Sequence, residues 1–376
     1  MQFEGRRLTA GAMCLTALAW TVPAGALVVS GGREFTGGQW EDLPAPDNST
    51  PPPVDLGWDR VGDVGNGSGV YLGNGYVLTA RHVSNRTSID IDGEVYDQIS
   101  GSSAGSLKNA NNSDSDIYLF RVAVPEGSGL HGLDPVLLPN VSMAGSSFKT
   151  QLIGYGLGQE ELLPINLGSN LTGYNWDPGS GEKRWGEINL GGSTTFPLLG
   201  RDTEGMSATF SNIANRAAVT PGDSGGGVFW NGKANNGTVI QDGPVLVGLL
   251  HAVQQLSRPG NSSTTSAAFN DKTLLSDITQ YADQLSIVDG DFNGDGIVDQ
   301  GDLELVSANW GMSVDAGNFL LGDGSGDGMV GVADMDIVLA QWGNGTLVSP
   351  ITAVPEPGTL GVLIMGGWLL GRRRRR

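Results

Sequence analysis

Three residue types that together perform acyl transfer occur in distinctive settings of this sequence. Ser224 lies in the segment TPGDSGGGVF at 220–229, after an aspartate and before three glycines and an apolar run. A serine in such a turn becomes a strong nucleophile beside a general base. His82, one of three histidines, lies in the β-branched and apolar run VLTARHV and is the candidate base. Asp116 opens the run DIYLFRV and is the candidate acid that orients the base, with Asp114 as the alternative.

Short strands are needed to hold these residues, and the local patterns predict them. Apolar and β-branched residues precede His82 and follow Asp116 and Ser224, which is typical of buried strands bounded by turns. Two further segments, 67–76 and 152–156, have the patterns of a glycine-rich hairpin and an apolar strand. In this order, the segments resemble those of trypsin-like (chymotrypsin-fold) serine proteases.

The resemblance covers roughly residues 57–285 and implies a mainly β fold of two six-stranded antiparallel β-barrels with a C-terminal helix. It implies that His82 takes the proton of Ser224 and that Asp116 orients the imidazole. It also implies an oxyanion hole formed by the backbone N–H groups of Gly222 and Ser224.

The function expected from this resemblance is that of a serine endopeptidase acting on a protein or peptide substrate. Two alternatives stay open. One is a catalytically silent module of the same fold that binds or assembles at the cell surface, and the other is an esterase that uses the same three residues.

A helix is predicted at the end of this region. Residues 271–286 carry apolar side chains at i, i+3, i+4 and i+7 behind Asp271, a pattern typical of a capped amphipathic helix. The segment resembles the C-terminal helix of the family, and we expect it to close the domain.

Substrate selection is predicted from two further residues. The resemblance puts Ala218, six residues before the nucleophile, at the base of the substrate pocket, where no acid is available for lysine or arginine. His251, in the apolar run 246–253, corresponds to a histidine of some bacterial glutamate-specific relatives. We therefore expect an acidic or small apolar residue before the cleaved bond. The alternative is that His251 is a buried strand histidine.

Many family members are activated by a new N-terminal amine that pairs with the acid before the nucleophile, here Asp223. The segment VVSGG at 28–32 faintly resembles the one that supplies this amine, and cleavage after Ala26 would leave Leu27 as the N-terminus. The alternative is that hydrogen bonds inside the protein satisfy Asp223.

Composition favours turn-rich β structure and argues against nucleic acid as a partner. The 376 residues include 60 glycines and carry a formal net charge of −19, whereas nucleic-acid binding requires a basic surface. The predicted division is a signal peptide at 1–26, a proline-rich linker or proregion at 27–56, the protease domain at 57–286, a calcium-binding module at 289–345, and a linker with a sorting tail at 346–376.

The N-terminus predicts secretion. Arg6 and Arg7 precede an apolar stretch and the small-residue site AGA at 24–26, which is the organisation of a secretory signal peptide. Cys14, the single cysteine, lies in that stretch. The mature chain is therefore expected to be stabilised by packing and by calcium rather than by disulfides. An uncleaved membrane anchor is the alternative, which the shortness of the apolar stretch disfavours.

Two copies of an EF-hand-like loop begin at Asp291 and Asp323. Oxygen-bearing side chains recur at the spacing of calcium ligands, and a glycine at the sixth position permits the sharp turn. The alternative is a pair of solvated turns rich in aspartate and glycine. The candidate calcium ligands are Asp291, Asn293, Asp295, Asp299 and Asp302 in the first loop and Asp323, Ser325, Asp327 and Asp334 in the second.

The two copies, each followed by an amphipathic segment and a Trp–Gly pair, resemble a type I dockerin module with aspartate at the twelfth loop position. This resemblance implies a small α-helical module, a cohesin-type partner and a link to polysaccharide catabolism. The tenth and eleventh loop positions hold Gln–Gly and Val–Ala, whereas dockerins often have small hydroxylated residues there. Calcium binding therefore carries over better than the partner.

The C-terminus resembles a PEP-CTERM sorting signal of Gram-negative bacteria. It consists of VPEPGT at 354–359, an apolar stretch at 360–370 and arginines at 372–376. The resemblance implies transient retention in the inner membrane and cleavage by an exosortase-type enzyme, which gives a secreted or cell-surface protein. A permanent anchor is the alternative, although the stretch is short for a full span.

Overall fold

The structure is a computed structural model and describes residues 27–37, 39–102, 105–164, 171–177, 181–256, 266–285 and 287–345. The predicted signal peptide with Cys14 and the predicted sorting tail lie outside these residues. Among the helices of the described ranges, none is long and apolar enough to cross a membrane.

The described chain is mainly β, as the sequence predicts, with few helices. The strands are β1 Val28–Val29, β2 Arg33–Thr36, β3 Gln39–Asp42, β4 Val61–Val64, β5 Gly67–Gly73, β6 Tyr76–Ala80, β7 Ser88–Ile91, β8 Glu94–Asp97, β9 Gly105–Lys108, β10 Asp114–Arg121, β11 Thr150–Gly154, β12 Gly158–Pro164, β13 Leu171–Asp177, β14 Arg184–Ile188, β15 Leu190–Leu198, β16 Arg201–Thr209, β17 Ala217–Ala218, β18 Gly227–Trp230, β19 Val245–Gln254, β20 Ser266–Ala268 and β21 Lys272–Asp277. The two α-helices are α1 Gln300–Ala308 and α2 Val332–Ala340. Short 3-10 helices lie at Trp58–Arg60, Ile278–Gln280, Ala282–Gln284 and Phe319–Leu321.

Two antiparallel sheets of seven strands dominate the fold, where the resemblance predicted six strands in each barrel. The first sheet has the order β8-β7-β4-β5-β6-β10-β9, and the second has the order β14-β11-β18-β19-β21-β16-β15. The β5–β6 hairpin turns at Asn74 and Gly75, whose φ values of +47° and +75° suit the Asn-Gly sequence of a type I′ turn.

The apolar core has one part between the two sheets, one part against each sheet and a smaller cluster around Val28, Tyr174 and Phe210. Val61, Leu78 and Ile117 of the first sheet form a buried cluster with Phe229 and Leu249 of the second. The sheets therefore hold the ends of their strands in fixed relative positions, since close-packed interiors resist displacement.

The prediction of a helix over residues 271–286 is wrong. Residues Lys272–Asp277 form strand β21 between β16 and β19, and the described residues from 278 to 285 contain two short 3-10 helices. Thr273 to Asp277 are all buried, so pairing on both sides of the strand outweighs the helical spacing of its apolar residues. Asp277 caps the first of the 3-10 helices by accepting the N–H of Thr279 at 3.1 Å.

The segment predicted as a linker starts inside the core. Leu27, Val28 and Val29 are all at most 1% exposed. Val28 and Val29 form β1 and pair with Ala218 and Ala217 of β17. The first residues of this segment are thus an integral part of the second half of the fold.

Residues 289–345, here called the repeat module, pack directly against the first sheet. Helices α1 and α2 follow the two loops at the same offset. Phe292, Val306 and Val338 belong to the same buried cluster as Tyr71 and Phe120 of the first sheet. The module and the first sheet consequently share one apolar core.

Candidate active site

The pairing of β6 with β10 brings His82 and Asp116 to the same edge of the first sheet. Ile117 lies opposite Ala80, and the N–H of Arg81 donates to the carbonyl oxygen of Asp116 at 2.9 Å. Because His82 directly follows this pair, its side chain starts beside the carboxylate.

His82, Asp116 and Ser224 form one continuous hydrogen-bonded chain. His82 Nδ1 lies 2.6 Å from Asp116 Oδ2, and His82 Nε2 lies 2.7 Å from Ser224 Oγ. A proton on Nδ1 that is held by the carboxylate leaves Nε2 free to accept the hydroxyl proton of the serine. The arrangement is therefore able to raise the nucleophilicity of Ser224.

Asp114, the alternative acid, lies elsewhere. Its side chain is 40% exposed and forms an ion pair with Lys108. Asp116 itself is fully buried. The geometry therefore brings Asp116, rather than Asp114, to the histidine.

The buried carboxylate of Asp116 is held in its charged form. Burial by itself would raise the pKa of Asp116, but hydrogen bonds and charges from His251 and His82 outweigh it and hold the pKa well below its usual range. The backbone N–H of His82 adds a bond to Oδ1 at 3.1 Å. An ionised carboxylate at this position is able to stabilise a positive charge on the imidazole of His82.

The glycines around Ser224 are required by the geometry of the loop. Gly222 and Gly225 have φ values of +97° and +92°, a region that side chains disfavour. A Cβ on Gly225 would meet the carbonyl oxygen of Ser68 at 1.9 Å. Within the described residues, the backbone N–H groups of Gly222 and Ser224 donate to no protein acceptor. Two free donors beside a nucleophile are available for a developing oxyanion.

Ser68 of β5 supports this loop, and sequence reasoning missed it. Its N–H donates to the carbonyl oxygen of Ser224 at 2.7 Å, and its hydroxyl donates to that of Gly222 at 3.0 Å. Thr203 of β16 was also missed, and its hydroxyl oxygen accepts the N–H of Asp116 at 3.0 Å. Both contacts join segments that are far apart in sequence, so no local pattern carries them.

Asp223 is fully buried next to Leu27. Burial raises the pKa of Asp223 to about 7 against the lowering effect of its hydrogen bonds. These bonds come from the backbone of Thr220 and Gly156, the hydroxyl of Thr220, and the backbone of Leu27. Asp223 therefore has internal donors, one of which is the residue expected to follow the signal-peptide cleavage site.

The two predicted pocket residues are buried in the structure. Ala218 is 0% exposed and clusters with Val28, Tyr174 and Phe210. His251 has no exposed side-chain surface, and its Nδ1 lies 2.9 Å from Asp116 Oδ2. This placement of His251 differs from the predicted pocket wall and agrees with the alternative of a buried strand histidine. A bulge in β19 at this residue breaks the alternation of the strand's side chains.

The side chains of His82, Asp116 and His251 offer three potential metal-ligand atoms within 4.8 Å of one another. The two hydrogen bonds to Asp116 Oδ2, at 2.6 and 2.9 Å, account for this proximity. Hydrogen bonding of the imidazoles to one carboxylate is sufficient to explain the cluster.

The two loops of the repeat module fold alike. In the first, Asp291 accepts the N–H groups of Gly294 and Gly296, at 2.8 and 3.0 Å. Asp323 does the same with Gly326 and Gly328, at the same distances.

The carboxylates at the twelfth position also match. Asp302 accepts the N–H groups of Asn293 and Asp299, and Asp334 accepts those of Ser325 and Gly331. In the described part of the chain, no three acidic side chains of a loop bring ligand atoms within 4.8 Å of one another.

The other candidate ligands are more open to solvent. Asn293 and Asp327 are exposed, and Asp295, Asp299 and Ser325 are half-buried. Each loop therefore combines buried carboxylates at its first and twelfth positions with accessible oxygens between them.

No protein-family model and no curated protein matches the chain. Among solved structures, the chain is similar to the NS6 protease from murine norovirus 1, at 14% identity and a TM-score of 0.34, over 59% of this chain and 90% of that one. It is also similar to the inactive form of the Rv3671c protease of M. tuberculosis, at 14% identity and a TM-score of 0.35, over 61% and 88% of the two chains. A third similar structure is the scabies mite inactivated protease paralogue S-I1, at 13% identity and a TM-score of 0.32, over 69% and 91%.

Proposed function

We propose that this chain is a serine endopeptidase of the trypsin-like type. The observation that carries the proposal is the continuous chain from Asp116 through His82 to Ser224, with bonds of 2.6 and 2.7 Å. The free N–H groups of Gly222 and Ser224 support it, because acyl transfer requires donors for the oxyanion.

In the proposed reaction, Ser224 Oγ attacks the carbonyl carbon of a peptide bond while His82 Nε2 accepts the hydroxyl proton. His82 then gives this proton to the departing amine as the carbon–nitrogen bond breaks, which leaves an acyl group on Ser224. Water then attacks the acyl carbon with His82 again as the base. As the bond from that carbon to Ser224 Oγ breaks, the proton passes to Oγ and the carboxylic acid product leaves. Each oxyanion donor is expected to contribute about 10²–10³ in rate.

Hydrolysis of a peptide library and of a simple ester by the purified protein tests this proposal. The matched pair is Ser224→Ala against Ser113→Ala, which alters an exposed serine in the turn before β10. Peptide cleavage that survives Ser113→Ala and is lost in Ser224→Ala is the expected result. Ester turnover without peptide cleavage would indicate an esterase instead, and no turnover of either would indicate a silent module.

Activation is proposed to follow removal of the signal peptide after Ala26. The support is the burial of Leu27, which is 0% exposed, and the hydrogen bond from its backbone to Asp223. An α-ammonium group at Leu27 would give this buried carboxylate a cation. Such a pair would offset the cost of an ionised carboxylate in the interior.

Calcium binding by the repeat module is proposed as a structural function. Asp291, Asp302, Asp323 and Asp334 are each 0% exposed. Burial raises the pKa of Asp291 to about 6 and raises the pKa values of Asp302 and Asp323 as well. A divalent cation would neutralise such carboxylates, and the oxygens of the intervening side chains complete a set suited to calcium.

Calorimetric titration with calcium tests this part of the proposal. We expect two ions per chain, and one ion fewer in either Asp302→Asn or Asp334→Asn. Asp283→Asn, an exposed aspartate outside the loops, is the control and is expected to keep both ions. Absence of binding to the unaltered protein would contradict the proposal.

Export to the cell surface or medium of a Gram-negative bacterium, with transient retention in the inner membrane, is proposed from the two terminal sequence patterns. Intact mass measurement on protein from the native host is expected to find Leu27 as the first residue and no arginines at 372–376. Retention of those arginines on exported protein would contradict processing by an exosortase-type enzyme.

A cohesin-type partner is proposed on the resemblance of the repeat module alone.

A further inference from the structure

Strand β19 is irregular at His251. Leu250 pairs with Leu275 and Ala252 pairs with Leu274, so that His251 is one extra residue relative to β21. A bulge of this kind turns a side chain away from the face that strict alternation would give it. Here the bulge coincides with the one histidine of the strand.

The imidazole of His251 reaches the same carboxylate oxygen that His82 uses. His251 Nδ1 lies 2.9 Å from Asp116 Oδ2, and His82 Nδ1 lies 2.6 Å from that atom. The ring of Phe196 packs beside His251 with a centroid separation of 5.5 Å. The carbonyl oxygen of His251 also lies 2.9 Å from Ser224 Oγ, as a second acceptor beside His82 Nε2 at 2.7 Å. His251 thus contacts the proposed acid with its side chain and the proposed nucleophile with its backbone.

The protonation state of His251 follows from its surroundings. Burial lowers the pKa of His251, and the hydrogen bond and charge of Asp116 offset only part of this effect. The ionisable groups that act on the ring are Asp116 and His82. A neutral imidazole facing a carboxylate carries its proton on the facing nitrogen, which is Nδ1. Nε2 is buried and has no hydrogen-bond partner among the described residues.

We infer that His251 is a positioning residue for the triad, which donates a second imidazole N–H to Asp116 and fixes the direction in which that carboxylate faces His82. The inference rests on the proposed hydrolase function, but its geometry does not depend on turnover. Sharing the charge of Asp116 between two donors weakens its hold on His82. Loss of the His251 donor therefore leaves Asp116 less firmly oriented and strengthens its attraction for a positive His82.

Proton NMR of the Ser224→Ala protein tests the geometry without any need for activity. Two strongly downfield N–H signals are expected, one from each imidazole bonded to Asp116. His251→Leu in the same background is expected to remove one signal and shift the other. If the Ser224→Ala protein shows a single such signal, or if the remaining signal is unmoved by His251→Leu, the inference is overturned. If both signals are present in Ser224→Ala but the unaltered protein hydrolyses no peptide, the result counts against the proposed function alone.

Kinetics on the active protein test the consequence. His251→Leu is expected to lower kcat about tenfold, with little change in KM, because a positioning group acts on the chemical step. His251→Asn, which retains an N–H donor close to the position of Nδ1, should restore most of kcat.

Val247→Ala removes a buried side chain from the same strand and controls for lost packing. It is expected to lower stability and to leave kcat and KM nearly unchanged. A His251→Leu protein with the kcat of the unaltered protein would overturn the inference. Equal losses in His251→Asn and His251→Leu would do the same. Should His251→Leu fail to fold, the number of downfield N–H signals of Ser224→Ala and the kcat of His251→Asn still test the inference.

Discussion

Replacing Arg121 with methionine is expected to loosen the contact between the first sheet and the repeat module. Arg121 ends β10, the strand that carries Asp116, and is 3% exposed. Its Nε donates to the carbonyl oxygen of Asn74 at 3.0 Å, its Nη1 to that of Phe292 at 2.7 Å, and its Nη2 to that of Asp291 at 3.0 Å. One buried cation therefore joins the β5–β6 hairpin to the start of the first loop.

The expected loss in the free energy of unfolding follows from these contacts. The carbonyl of Asp291 keeps a second donor, the side-chain amide of Asn74 at 3.0 Å, which leaves two carbonyls to count. A buried carbonyl without its donor costs about 1–3 kcal/mol. The guanidinium also lies 4.5 Å and 4.8 Å from the ring centroids of Tyr76 and Phe319, a contact that contributes about 1 kcal/mol. Since such contributions are not additive, we expect a loss of about 3–5 kcal/mol.

Urea unfolding of the purified protein, followed by tryptophan fluorescence, measures this change. Arg60→Met is the control, because Arg60 is half-buried and its Nη2 donates to a carbonyl in an exposed setting. It is expected to cost about 1 kcal/mol or less. A loss in Arg121→Met no larger than that in Arg60→Met would contradict this expectation. Unfolding of the repeat module in a separate transition that leaves the sheets unchanged would also contradict it, because a shared core predicts coupled unfolding.

Three further changes test other parts of the structure. Asp116→Asn is expected to lower kcat about 10⁴-fold with the fold intact, because the amide favours the wrong tautomer of His82; a loss below tenfold in steady-state kinetics would contradict this. Burial raises the pKa of Asp223 to about 7 from 3.8. In a chain extended before Leu27, this carboxyl therefore stays protonated in the folded state between those pH values while it ionises in the unfolded state, and the chain should lose about 4 kcal/mol of stability as the pH rises across the window. Asp223→Asn, measured by urea unfolding across the same window, should remove this dependence, and an unchanged slope would contradict it. Chelation of calcium should lower the thermal unfolding midpoint of the unaltered protein and should have a much smaller effect on the double variant Asp302→Asn/Asp334→Asn. An equal shift of the midpoint in the two proteins would contradict calcium binding in the loops.

The local chemistry of the candidate site was predictable because it depends on short runs. An apolar run before His82, an apolar run after Asp116 and a glycine turn around Ser224 each specify their own backbone. The order of these runs then limits how a β fold can join them. The mainly β class was predictable for the same reason, since short apolar runs are separated by many turn residues.

The incorrect or missed features depend on contacts that no local run contains. Residues 272–277 have helical spacing, yet two neighbouring strands outweigh that preference. The direction of the His251 side chain, toward Asp116, depends on a bulge in β19 that shifts the side-chain alternation by one residue. The support that Ser68 gives to the loop of Ser224 joins segments 156 residues apart. Such features follow from the packing of the whole chain rather than from any single segment.

Covalent labelling by a fluorophosphonate, with the modified residue identified by mass spectrometry, tests whether Ser224 is an activated nucleophile. We expect one label per chain, on Ser224 of the native protein. Labelling should be absent from Ser224→Ala and should be far slower in His82→Ala, because the histidine is the base that activates the serine. Two results would contradict this expectation. One is a labelling rate at Ser224 that is no higher in the native protein than in urea-unfolded protein, and the other is an equal labelling rate in the His82→Ala protein.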